Sequence, residues 1–311
     1  MKEIQADTYS IYLGEEVLNE FNSILEDFQD EYSKIFIFCD ENSSKYCLPR
    51  LIELVPMLIG AELIEIESGE QSKSLSICHD VWKTISESQA DRKSIVVNLG
   101  GGVVCDMGGF IASLYKRGLR FFHIPTTLLS QVDASVGGKL GVDFEGHKNQ
   151  IGLYKNPDMV LIDPKFLQTL PKRQFLSGCA EVFKHALIAD VEYWKLLTQL
   201  DLDNIPNIED VLFRSISIKN KIVQVDWDEK GPRKILNFGH TIGHALESQS
   251  LKNNRDLFHG EAIATGMAVE TLLSKSRGFL SEVECIQILD KLEAAFTLEK
   301  IDRFEFSDLL K

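Results

Sequence analysis

Five short apolar runs in the first half of the chain constrain its fold most. KIFIF (34–38), AELIEIE (61–67), SIVVNL (94–99), GLRFFHI (118–124) and MVLID (159–163) read as strands. Stretches of about ten to eighteen residues with helical spacing separate them, the pattern of βαβ units and a mostly parallel sheet. Ahead of them, residues 3–13 alternate enough for an early strand or hairpin, and 15–28 carries apolar residues at helical spacing. After 163 the pattern is helical almost throughout, over 172–189, 192–200, 207–225, 234–249, 261–276 and 281–296. The expectation is an α/β domain over 1–163, then an all-helical domain over 164–311.

Of the 311 residues, 44% are apolar, enough for a proper core in one large or two ordinary domains. A net charge of −14 argues against a broad nucleic-acid or anionic-membrane footprint, but leaves room for a local basic pocket. Six cysteines (39, 47, 78, 105, 179 and 285) are scattered without a CxxC pair, as reduced thiols of a cytoplasmic protein would be. The opening MKEIQADTYSIYLG has no apolar core of a signal peptide, and no apolar run approaches a membrane span.

The densest chemistry lies at 237–261, NFGHTIGHALESQSLKNNRDLFHGE. His240 and His244 share a helical face, and with His259 they make three of the seven histidines within twenty residues. Upstream, AEVFKH puts Glu181, Lys184 and His185 on one face. Imidazoles plus a carboxylate suit a zinc-type divalent metal, with a position left open for substrate. Spacing alone would make both helical histidines ligands. A single histidine here would read as a hydrogen-bonded helix residue; three, flanked by Gly239, Gly243 and Gly260, read as a metal site.

Two glycine-rich stretches complete the pattern. GGGVVCDMGGF (100–110) is a strand-to-helix turn that lets backbone N–H groups approach a diphosphate, although Cys105 stands where GxGxxG needs its third glycine. Asp40 and Glu70 sit at strand ends, where an open α/β sheet holds its ligand; as a set these features favour a dinucleotide. Residues 137–152, GGKLGVDFEGHKNQIG, read as a loop whose Lys139 and Lys148 could cradle phosphate or carboxylate.

RGLRFFHIPTTLLSQVDASVGGKLGV, KNQIG, AEVFKHALI, LNFGHTIGHALES and HGEAIATGM occur in order, and together they resemble the 3-dehydroquinate synthase family. The resemblance implies a Rossmann-like N-terminal domain, a helical C-terminal domain and an active site in the cleft between them. It implies conversion of 3-deoxy-D-arabino-heptulosonate 7-phosphate to 3-dehydroquinate and phosphate, a shikimate-pathway step, with NAD and Zn2+ or Co2+. The metal ligands fall on Glu181, His240 and His259, which removes His244 from the ligand set. His244 and Glu229 match proton-acceptor positions. Arg117, Asp133, Lys139, Asn149, Lys219, Arg233 and Asn237 match substrate contacts, with Lys184 adding to the cationic field. Asp40, Glu41, Asn42, Glu70, Lys73, Gly101, Gly102, Val103, Asp106, Thr126, Thr127, Lys148 and the segment 166–169, including Phe166 and Thr169, match NAD positions.

Arg117 resembles a residue contributed across a dimer interface, so the resemblance implies a homodimer. The motif's usual GVVGD is GVVCD here, which makes Cys105 a steric question for the cofactor. The family continues with an Asp-Lys-Lys run, whereas this sequence stops at Leu310-Lys311, so the helical domain reads as cut short. Competing readings are another sugar-phosphate cyclase, a metal-dependent polyol dehydrogenase that would release NADH, and a silent ligand-binding relative.

Overall fold

The five apolar runs, joined by an N-terminal hairpin, form one seven-stranded sheet. In this computed structural model the described residues are 1–299, apart from 203, 254 and 256. The end of the chain at Leu310-Lys311 therefore lies outside them. The backbone divides into two units, Met1–Leu170 and the residues from Pro171 on.

The first unit begins with β1 (Lys2–Gln5), β2 (Ser10–Leu13) and α1 (Val17–Asp27). Then come β3 (Ile35–Asp40), α2 (Glu41–Tyr46), α3 (Leu48–Leu54), β4 (Glu62–Ile66), α4 (Leu75–Glu87), β5 (Ile95–Gly100) and α5 (Gly102–Leu114). It closes with β6 (Arg120–Pro125), β7 (Lys139–Phe144), β8 (His147–Tyr154) and β9 (Met159–Ile162). The sheet order is β1-β2-β9-β6-β5-β3-β4, parallel except for the β1–β2 hairpin.

β3 and β5 are apolar on both faces because both faces are covered. Ile37, Val97, Leu99 and Phe122 pack with Phe21 and Leu51 from α1 and α3, while Phe36, Phe38, Val96 and Phe121 pack with Val81, Val104 and Phe110 from α4 and α5. The chain passes from β3 outward to β4 and returns to β5 on the other side. The carboxyl ends of β3 and β5 therefore flank the switch point, where an open α/β sheet offers its crevice.

Three expectations need correction. Residues 137–152 are not a loop but the antiparallel hairpin β7–β8. Leu140 and Val142 point into the core, and Gly141 and Gly152 let the two backbones close: a Cβ at Gly152 would lie 2.3 Å from the Leu140 carbonyl oxygen. The short segment Pro164–Thr169 stays with the first unit, because Phe166 is buried in the core beside Phe122. The expected helix over 234–249 is two pieces, a 3-10 segment Pro232–Asn237 and a helix from His240, broken at Gly239 with φ +80°.

The second unit is helical: α6 (Lys172–Ala189), α7 (Val191–Gln199), α8 (Ile208–Val225), α9 (His240–Lys252), α10 (His259–Ser276) and α11 (Glu282–Ala295). Among the described residues, no helix is long and apolar enough to cross a membrane. All six cysteines are buried free thiols.

Asn98 and His123 face each other across β5 and β6, both buried, with Asn98 Nδ2 3.2 Å from His123 Nδ1. Burial pushes the His123 imidazole down to about 3. Its folded value is depressed, so the stability it confers is present above the unfolded value near 6.5 and is lost as pH falls towards 3. Chemical denaturation from pH 7 to pH 4 should show stability falling by up to about 1.4 kcal/mol per pH unit from this one proton. In His123→Gln that part of the slope should vanish; an unchanged slope would remove His123 as its source.

Candidate functional site

Glu181, His240 and His259 come from α6, α9 and α10, and glycine allows those helices to converge. A Cβ on Gly260 would lie 2.0 Å from the Ser177 carbonyl oxygen of α6, and one on Gly266 would lie 1.9 Å from that of Gly239. α6 presents Arg173, Ser177 and Glu181 at four-residue intervals, one stripe that meets the start of α10. Arg173 grips Glu261 with two bonds, Nε to Oε1 at 2.7 Å and Nη2 to Oε2 at 2.8 Å. Its guanidinium also lies 4.1 Å over the Phe258 ring. Ser177 Oγ accepts the Gly260 N–H at 2.9 Å, and Glu261 accepts the Phe258 N–H at 3.0 Å, closing the first turn of α10.

The Glu181 side chain is fully buried. Lys184 Nζ pairs with Oε2 one turn along α6. Oε1 accepts no hydrogen bond; His240 Nε2 stands 3.5 Å from it and His259 Nε2 3.6 Å. Candidate ligand atoms of the three residues lie within 4.8 Å of one another. Burial alone would raise the Glu181 carboxyl, but Lys184, His240 and His259 outweigh it and hold it well below the usual range. Burial also works against charge on His259, yet Glu181 and Glu247 carry it to about 10.

Both histidines are held from behind. His240 Nδ1 lies 3.3 Å from the Phe238 carbonyl oxygen, and His259 Nδ1 lies 3.2 Å from Glu247 Oε2. An imidazole with its proton on Nδ1 against an acceptor turns the Nε2 lone pair the other way. His244, one turn beyond His240, is exposed and falls outside the Glu181 group. The geometry thus separates the two histidines that spacing alone would pair as ligands. Sequence reasoning missed Glu247, Arg173 and Ser177. The signals were present: Glu247 is seven residues from His240 on the same helical face, and Arg173 and Ser177 continue the Glu181 stripe.

Three of the cationic positions lie on the same unit as this group. Lys184, Lys219 and Arg233 are nearly or fully buried. The loop after α8 is organised by Asp226, whose carboxylate accepts the N–H groups of Lys230 (3.0 Å), Gly231 (2.7 Å) and Arg233 (3.0 Å). Those bonds hold it well ionised despite an opposing burial effect. Within the loop Glu229 adopts a left-handed φ of +58° and accepts from Asn237 Nδ2 at 2.6 Å.

The first unit carries the other expected residues, several of them around its switch point. Asp40 ends β3 and caps α2 through Ser43, while Glu41 accepts from Ser68 at 2.8 Å. Gly101 precedes α5 and supplies no side-chain cap, so the first-turn N–H groups of Gly102 and Val103 are not met by one. Thr126 N–H donates to the Gly100 carbonyl at 2.9 Å, and Thr127 and Ser130 cap one another. Cys105 is wholly buried, its Sγ 3.8 Å from the Gly100 carbonyl oxygen, so its thiol packs inward.

Lys73 is buried against Asp106 (2.7 Å) and Asn149 Oδ1 (2.5 Å). Burial opposes its charge, but Asp106 and Glu70 hold it protonated. Lys148 reaches Glu70 at 3.7 Å, so the β7–β8 hairpin brings Lys148 and Asn149 to Glu70 and Lys73. Asp133 lies in a π-helical turn, Ser130–Ala134, and Lys139 opens β7. Phe166 is a core side chain, with Thr169 capping back onto its carbonyl. Arg117 is exposed at the far end of α5, about 20 Å from Gly102 for a thirteen-residue helix.

The family model for the 3-dehydroquinate synthase N-terminal region matches residues 63–177, and that for the C-terminal region matches 178–311. The 3-dehydroquinate synthase of Parabacteroides distasonis is 42% identical over 271 residues, 86% of this chain and 76% of that protein. The chain belongs to the 3-dehydroquinate synthase family. Among solved structures it resembles 2-deoxy-scyllo-inosose synthase complexed with carbaglucose-6-phosphate, NAD+ and Co2+, at 25% identity and a TM-score of 0.86 over 99% of this chain and 87% of that one. It also resembles the 2-epi-5-epi-valiolone synthase of Streptomyces hygroscopicus subsp. jinggangensis with NAD+ and Zn2+ bound, at 30% identity and a TM-score of 0.80 over 95% and 82% of the two chains.

The convergence of α6 and α10 makes Gly260 sensitive. Gly260→Ala would drive a methyl group into the Ser177 backbone, which cannot swing aside as a side chain can. Thermal and denaturant unfolding should show a loss of about 3 kcal/mol or more. A variant as stable as the parent would mean that the two helices separate without penalty.

Proposed function

We propose that this chain is a 3-dehydroquinate synthase that eliminates phosphate from 3-deoxy-D-arabino-heptulosonate 7-phosphate and closes the carbocycle, using NAD and a divalent metal. The observation that carries the reading is the buried Glu181 Oε1, which accepts no hydrogen bond and faces two imidazole nitrogens, inside a chain matched by both family models. Glu181, His240 and His259 suit a divalent cation, an anionic oxygen and two neutral nitrogens being the donor set of catalytic zinc. Such a cation would acidify and orient a substrate hydroxyl. NAD would serve as a transient oxidant, taking a hydride and returning it in the same turnover.

The chain's own residues would do the rest. The uncapped first turn of α5 suits a diphosphate, and Asp40, at the end of β3, suits ribose hydroxyls. Glu41, Asn42, Glu70, Lys73, Asp106, Thr126, Thr127 and Lys148 would complete that nucleotide site. Lys219, Arg233 and Asn237, with Lys184, would hold the substrate's anionic groups, Arg233 being suited to a planar carboxylate. His244 and Glu229 are assigned as proton acceptors; His244 stands outside the Glu181 group, which favours this over a place in that ligand set. Asp133, Lys139 and Asn149 are assigned to substrate on the first unit. Arg117, a helix length from the switch point, would serve a site only if a second copy supplied it, which supports a homodimer. The other cyclases resemble the chain at lower identity than the 42% relative, so they are the less favoured alternative.

Phosphate release from the heptulosonate phosphate, followed together with absorbance for NADH, tests the reading. Metal-dependent phosphate release without NADH accumulation is expected. Glu181→Gln should lower it more than about a hundredfold with the fold retained but less stable, because a ligand is lost and the buried Lys184 loses its anionic partner. Stoichiometric NADH release instead would favour a dehydrogenase.

A further inference from the structure

Glu247 is only 4% exposed, yet the proposed reaction gives it no role. It lies on α9, seven residues beyond His240, and its Oε2 stands 3.2 Å from His259 Nδ1 across the α9–α10 contact. Leu246 and Ala262, both fully buried, form the apolar seam beside it, with Ile242 and Leu257 packed against them. A carboxylate is rarely sunk in such surroundings without a task, since removing it from water costs several kcal/mol.

We infer that Glu247 is a positioning residue for the metal centre, holding His259 through Nδ1 so that Nε2 faces Glu181. The inference rests on the metal reading above. Its physical basis is the two-sided chemistry of imidazole: with Nδ1–H donating to a carboxylate, the lone pair of Nε2 is fixed in direction and becomes more basic. His240 is held in the same sense by the Phe238 carbonyl, a neutral acceptor, so the two ligands differ in what stands behind them. His259 begins α10, where the Arg173–Glu261 and Ser177–Gly260 bonds fix the backbone. Glu247 fixes the ring.

The same contact carries a rival assignment. His244, Glu247 and His259 also offer ligand atoms within 4.8 Å of one another, so Glu247 could belong to a second metal group sharing His259. The positioning role is favoured because Oε2 is already at hydrogen-bond distance from Nδ1, and a ligand role would take the carboxylate away from the nitrogen that orients His259.

The test is zinc and cobalt affinity by chelator competition, with stoichiometry, in the full chain. Four proteins are compared: the parent, Glu247→Gln, Glu247→Ala and Glu181→Gln. The cobalt absorption spectrum is recorded as a report on ligand geometry, and thermal stability and NAD binding are measured as controls. The parent should bind one metal. Glu247→Gln should bind about tenfold more weakly and Glu247→Ala up to about a hundredfold more weakly, both with an altered cobalt spectrum and unchanged NAD binding. Parent-like affinity and spectrum in both Glu247 variants, with Glu181→Gln impaired, would overturn the inference and leave the metal reading intact. Two metals in the parent, with only the second lost in Glu247→Gln, would also overturn it in favour of the rival group. A parent that binds no metal would overturn the metal reading itself, and the inference with it. If Glu247→Ala fails to fold, Glu247→Gln, nearly isosteric, still decides.

Discussion

A carboxylate removed entirely from water is the constraint on which the helical unit depends. Desolvating Glu181 costs several kcal/mol, and one ion pair with Lys184 does not satisfy both of its oxygens. The remaining compensation must come from nitrogens on other helices, and these can approach only where side chains are absent from the contact. Gly260 and Gly266 remove them, so α10 lies directly on α6 and on the break before α9. The charge, the glycines and the two imidazoles form one arrangement: restore a Cβ at either glycine and the histidines retreat from the carboxylate.

The α/β unit answers a different constraint. Its central strands are apolar on both faces and need helices on each, which leaves polar groups to collect where the chain reverses direction at the carboxyl ends of β3 and β5. Lys73, Asp106 and Asn149 are connected there, and Glu70 and Lys148 pair beside them. The β7–β8 hairpin takes part because the start of β8 carries a half-buried Lys148 and an exposed Asn149 of left-handed φ, while Leu140 and Val142 anchor the hairpin in the core. A segment that resembles a loop in composition is thus a paired hairpin that carries two polar side chains.

Backbone strain follows the same distribution. Glu229 holds a left-handed φ within a loop pinned by the Asp226 carboxylate, and Asn149 does so at a hairpin bonded to Asp143. Non-glycine residues in this region cost of order 1–3 kcal/mol each and persist where surrounding bonds over-determine them. In both cases the strained residue is one assigned to substrate chemistry; its backbone segment is held by an aspartate with no such assignment, and its side chain is bonded to another assigned residue, Asn237 for Glu229 and Lys73 for Asn149.

Periodicity alone determined most of the architecture. The strands of the first half, the helical run of the second and the extent of α6 are local patterns of apolar spacing, which survive in a one-dimensional reading, and the alternation of strands with helices implies the parallel pairing. Motif resemblance added the family and the candidate Glu181, His240 and His259. Spacing could not choose between His240 and His244, which share one helical face; the resemblance chose His240, and the tertiary structure shows the reason, a half-buried His240 facing Glu181 and an exposed His244 one turn on. Tertiary structure alone joined Glu247 to His259 and Arg173 to Glu261, contacts between helices that no interval along the chain encodes. It also split the expected 234–249 helix at Gly239 and folded the 137–152 glycines into a hairpin. Glycine reads as flexibility in a sequence, whereas here it permits the close approach of two backbones, and only the neighbour's position reveals which.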